Sequence, residues 1–137
     1  MDEVASQISE TVVGQIGSTQ FRPLSYDASA YMEPVAFSTM FSAARVVVAH
    51  AGIGTVLAAM QYGKPLILMP RRASLGEHRN DHQVDTCARV GTMQGIYVAQ
   101  TAQDILSFLS ADLTPMQNTV SPRRQQLISR IRSTFEK

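Results

Sequence analysis

Six consecutive residues, His50-Ala51-Gly52-Ile53-Gly54-Thr55, carry the strongest chemical signal in this sequence. They follow a β-branched run at 46–49 and precede Val56, Leu57, Ala59 and Met60, whose apolar side chains recur at helical spacing. The pattern predicts a strand, a glycine turn and a helix that Gly63 and Pro65 stop before a second strand at 66–69. Parallel strands joined this way leave the helix N-terminus exposed at their carboxyl end. Amides at Gly54, Thr55 and Val56 are expected to point outward with the positive end of the helix dipole, and Gly52 and Gly54 keep Cβ atoms out of the approach. This is chemistry for a phosphate-bearing ligand. The same glycines equally suit a tight turn with close helix–strand packing.

Other reactive side chains fall near the same edge. His50 follows a strand, where ligands bind in open α/β folds, although a histidine bonded to neighbouring backbone meets the same pattern. Arg71 and Arg72 follow the second strand and could meet phosphate or an acidic sugar, or form a solvated pair. His78 and His82 stand four apart with Glu77, Asp81 and Asp85 nearby, yet no H-E-x-x-H motif supports them and no metal is expected. A dinucleotide site is disfavoured because the position for a third glycine holds Leu57 and no ribose acid ends the second strand. Cys87 reads as a small buried hydrophobe.

These groups need a scaffold. Helices are expected at 1–10, 33–44, 77–90 and 101–109, and strands at 11–16, 46–49, 66–69 and 95–99, with a further short strand within 21–26 and a polar loop at 71–76. Alternation of strands and helices predicts an α/β, Rossmann-like, mainly parallel sheet with helices on both faces, possible without its first strand because the chain opens on a helix. We place a ligand-binding domain at 1–113 and a linker with a C-terminal helix at 114–137. That helix has Ser121 to cap it, Pro122 in its first turn, a Leu127, Ile131, Phe135 stripe, and Arg123, Arg124, Arg130, Arg132 and Lys137 on or near it; it could lie on the domain, a partner or an anionic membrane.

Length and composition narrow the class. A chain of 137 residues with 45% hydrophobic content is one domain, or half of a larger fold, with a real core. A net charge of +1 makes no case for nucleic acid, and the single cysteine fits a reducing compartment. Without a membrane-length apolar run or a signal peptide, a cytoplasmic protein is expected.

The blocks His50-Ala51-Gly52-Ile53-Gly54-Thr55, Gly63-Lys64-Pro65, Pro70-Arg71-Arg72 and Gly76-Glu77-His78-Arg79-Asn80-Asp81-His82-Gln83 together resemble the nucleotide-sugar-binding half of GT-B glycosyltransferases, in particular the family 28 C-terminal domain. The likeness spans roughly 3–111, with Gln15-Ile16-Gly17 as a further match. It is greatest to the small split subunits of N-acetylglucosaminyl and exopolysaccharide transferases. The resemblance implies a donor-binding subunit of an inverting hexosyltransferase that takes a UDP-sugar as substrate and needs no cofactor. The acceptor would be a lipid-linked saccharide held by a membrane-associated partner subunit at the cytoplasmic membrane face, with the general base on that partner. The chain alone would be inactive and could form a homodimer.

On the same resemblance, His50, Gly52, Ile53, Gly54 and Thr55 would hold the donor diphosphate, Asn80, Asp81 and Gln83 the donor sugar, and Arg71, Arg72 and Glu77 are accessory candidates. Two departures matter. Where the family commonly carries a ribose-binding glutamate this sequence has Ala58, and the family's opening strand is absent. Both motivate an alternative, a non-catalytic interaction module derived from such a domain.

Overall fold

The structure, a computed structural model, describes residues 1–77, 79–80 and 82–117. The elements are α1 (Asp2–Ala5), β1 (Val13–Gln15), β2 (Asp27–Ser29), α2 (Pro34–Ala43), β3 (Val47–Ala49), α3 (Ile53–Tyr62), β4 (Leu66–Leu68), α4 (His82–Val90), β5 (Ile96–Val98) and α5 (Ala102–Leu109). All ladders are parallel: β1 pairs with β2, and β4 lies between β3 and β5. This is the expected Rossmann-like α/β architecture.

β4 shows why helices cover both faces. Leu66, Ile67 and Leu68 are wholly buried, and successive side chains of a strand point to opposite sides. Leu66 and Leu68 pack with Phe41 of α2, Val56 and Ala59 of α3, and Cys87 of α4. Ile67 packs with Val4 of α1 and Ile105 of α5. Each such side chain contributes about 1.5–3 kcal/mol by leaving water, so this short strand anchors two cores at once. At the end of α3, Gly63 adopts φ +60° and lets the Lys64 N–H reach the Ala59 carbonyl at 2.9 Å, which turns the chain directly into β4.

Several expected boundaries move, each for a local reason. The helix expected at 1–10 is one turn long, because Ser6 Oγ donates to the Glu3 carbonyl at 2.8 Å and competes with the backbone ladder. The strand expected within 21–26 forms instead at Asp27–Ser29, since the Leu24 and Ser25 N–H groups donate to Asp2 Oδ1 at 2.9 and 2.8 Å. The helix expected from 77 starts at His82, whose N–H meets Asn80 Oδ1 at 3.4 Å, and the loop at 71–76 contains a 3-10 turn at Ala73–Leu75. Val35, in the first turn of α2, is 78% exposed. Beyond 113 the chain stays against the domain as far as Gln117: Thr114 N–H donates to Tyr97 Oη at 2.9 Å and Met116 is buried in the first core. The expected terminal helix lies outside the described residues.

Glu10 and Arg45 join the segments ahead of β1 and β3. The guanidinium donates to both carboxylate oxygens, at 2.8 and 2.5 Å, and also to the Leu109 carbonyl at 3.2 Å. Hydrogen bonding from Arg45 holds the Glu10 carboxyl below its ordinary 4.5, against a smaller opposing effect of burial. A depressed folded-state value means that the stabilisation is complete above the unfolded value and disappears as pH falls through the folded one. Both side chains are 46% exposed, so the pair contributes under about 1 kcal/mol. Arg45→Met should lower Tm at pH 7, and the gap to the parent should narrow between pH 5 and pH 3; a gap independent of pH would contradict this.

Candidate functional site

The turn after β3 is open to solvent and shaped by its own backbone. Gly52 is the N-cap of α3, with φ −95° and ψ 132°, and no side chain caps the helix. Its N–H donates to the His50 carbonyl at 2.8 Å. One expectation is corrected: the amides of Thr55 and Val56 do not point outward, because both donate to the Gly52 carbonyl, at 3.1 and 3.3 Å. The first intrahelical bonds have claimed them. Ile53 and Gly54 precede that ladder and supply the leading amides of the helix. Ile53 is 63% exposed, and a Cβ built on Gly54 would meet nothing within 4 Å. One on Gly52 would approach only the His50 ring, at 3.8 Å. The corner is neither plugged nor turned inward.

The ends of β4 and β5 bring further polar groups to the carboxyl edge. Gln83, 9% exposed on α4, accepts from the Arg71 N–H at 2.9 Å through Oε1 and ties that helix to the loop after β4. Glu77 Oε2 accepts from the Arg72 N–H at 3.0 Å, and the Arg72 guanidinium donates to Gln100 Oε1. Gln83→Leu would leave the Arg71 amide without its side-chain acceptor in a part-buried bond. A loss of about 1–3 kcal/mol in urea unfolding is expected, and no loss would show that this bond does not hold the loop.

His50, Gly52, Ile53, Gly54 and Thr55 thus share the corner after β3, with Arg71, Arg72 and Glu77 after β4 and Asn80 and Gln83 at the start of α4. Asp81 and His78 fall outside the described residues. Among the described residues no group of three or more histidine, cysteine or acidic side chains could hold a metal. Cys87 is buried, and desolvation pushes its thiol pKa up. Sequence reasoning missed Gln100, which follows β5 as His50 follows β3. The rule that ligands gather past the carboxyl ends of parallel strands would have found it. Ala58 is partly buried against the first core and offers no polar group.

The model of the glycosyltransferase family 28 C-terminal domain matches residues 2–128. No curated protein matches the chain. Among the described residues, no helix is long and apolar enough to cross a membrane.

Proposed function

The chain belongs to the glycosyltransferase family 28 C-terminal domains, and from that premise we propose that it is the donor-binding subunit of an inverting transferase using a UDP-sugar. The observation that carries the proposal is the uncapped, solvent-open start of α3 at the carboxyl edge of a parallel sheet. The amides of Ile53 and Gly54, with the positive end of the helix, match a diphosphate in charge and hydrogen-bonding sense. As the sugar–phosphate bond breaks, negative charge grows on the leaving UDP, and these donors stabilise it more than they stabilise the bound donor.

Asn80, Asp81 and Gln83 orient the sugar; with Gln83 Oε1 given to Arg71, its amide hydrogens are the part that faces a hydroxyl. The acceptor, a lipid-linked saccharide, and the base that deprotonates it come with a membrane-associated partner at the cytoplasmic face, so the chain alone turns over little. Calorimetry with UDP, UMP and uridine tests the reading. Affinity should rise steeply with phosphate count, whereas equal weak heats for all three would remove it. Co-purification of a membrane-associated partner from the native host tests the second half of the proposal, and recovery of the chain alone contradicts it.

Ala58 favours a second reading, the non-catalytic interaction module, because an alanine packed on the core cannot accept a ribose hydroxyl. Partner binding without UDP binding would select that reading.

A further inference from the structure

Arg72 is a cation held in place by neutral groups. Its guanidinium donates from Nη2 to Gln100 Oε1, while Glu77, the acid closest in sequence, accepts from the Arg72 backbone N–H instead. Among the described residues no carboxylate pairs with this guanidinium, although the residue is half-buried. Charges withdrawn from water are normally matched by an opposite charge, so Arg72 keeps a charge that its own fold does not use.

The side chain is also fixed from both ends. Glu77 Oε2 holds its backbone at 3.0 Å. On the other side the Gln100 and Thr101 N–H groups both donate to Asp104 Oδ2, at 2.8 and 3.0 Å, in the capping box that begins α5. The amide that receives Arg72 therefore stands on an anchored backbone. A guanidinium has five N–H groups in two planar edges that can each grip an anion bidentately, and a hydrogen of Nη2 belongs to one edge only. With Gln100 on Nη2, the second edge stays whole.

Its place in the fold narrows what that edge can meet. Arg71, one residue earlier, gives its N–H to Gln83, the side chain assigned to the donor sugar, so Arg72 stands beside that amide. The strands that carry Arg72 and Gln100 are β4 and β5, about 5 and 10 Å along the sheet from β3 and the corner that takes the diphosphate. The sugar, and not the phosphates, spans that interval.

We propose that Arg72, with Gln100 as its positioning residue, binds a carboxylate on the donor sugar, which makes the preferred donor a nucleoside diphosphate hexuronate. Resting on the donor reading above, this adds the class of sugar that the same site takes. A carboxylate is planar, carries the charge that Arg72 lacks opposite it, and fits the whole edge with two parallel bonds. The hydroxyls of a neutral hexose supply neither the charge nor that geometry.

Calorimetry of the purified chain with UDP-glucuronate, UDP-glucose and UDP is the test. UDP-glucuronate should bind roughly tenfold more tightly than UDP-glucose, the value of one charge-assisted hydrogen bond. Arg72→Gln should abolish that preference and leave the affinities for UDP and UDP-glucose unchanged. Gln100→Glu keeps an acceptor for the guanidinium but supplies the opposite charge from within, so Tm should hold while the preference for UDP-glucuronate is lost. A residue that merely tied the two loops together would leave the preference untouched in this variant. Circular dichroism checks each fold, and Gln100→Glu decides if Arg72→Gln is unfolded. Equal affinities of the parent chain for the two sugar nucleotides would overturn the proposal while the donor reading stands. Equal losses for UDP and UDP-glucuronate in Arg72→Gln would also overturn it, by putting the guanidinium on the diphosphate. If none of the three nucleotides binds, the donor reading fails and this proposal fails with it.

Discussion

Gly54→Asp is expected to lower UDP affinity about 100-fold while leaving the fold intact. The second half of that statement follows from space: a Cβ at this position meets nothing within 4 Å, and the backbone is helical, so a side chain enters without strain. An aspartate in the first turn of a helix is if anything favourable to the helix itself. Its charge, however, occupies the place proposed for the diphosphate. Two like charges about 4 Å apart at a protein surface repel by roughly 4 kcal/mol before screening, and about 2.7 kcal/mol of that corresponds to the 100-fold loss. Gly54→Ala separates charge from bulk: it should raise Tm slightly through helix propensity and weaken UDP far less. Equal losses for alanine and aspartate would place the effect in shape instead of charge. Unchanged affinity in the aspartate variant would mean that the diphosphate lies elsewhere.

Gly95→Ala should be the most destabilising small substitution in the described chain, costing roughly 3 kcal/mol and about 10 °C in Tm. Gly95 has φ +85°, and an added Cβ would lie 2.5–2.7 Å from backbone atoms of Pro115 and Met116. Those atoms cannot rotate away as a side-chain end can. Met116 is seated in the core, so the strand-to-tail contact must open or the turn into β5 must shift. Gly17→Ala is the control. It shares a positive φ of +65° but has nothing within 4 Å, so it bears only the backbone cost of about 1–2 kcal/mol. A Gly95 variant no worse than the Gly17 variant in thermal melts would show that residues 115–116 do not press on the turn.

The contrast between these glycines shows what could be read without coordinates. Gly63 announced itself by standing between an amphipathic run and Pro65, and the αL cap is where that order predicts it. The glycine turn after β3, with its helix, was equally legible, because a β-branched run, two glycines and helical spacing are all local signals. The fate of the Thr55 and Val56 amides was not, since it depends on whether the first helical bonds close on Gly52. The displacement of the second strand depends on Asp2, more than twenty residues away, taking the amides of Leu24 and Ser25. The Arg72–Gln100 contact likewise joins two loops that only the β4–β5 pairing makes neighbours.

The central claim concerns two backbone amides, and ¹⁵N–¹H correlation spectra of the chain titrated with UDP observe them directly. The account predicts that the largest shift changes fall on Ile53 and Gly54, with smaller ones at Gly52 and His50, and that they saturate together. Unmoved Ile53 and Gly54 cross-peaks in a sample that binds UDP would contradict it.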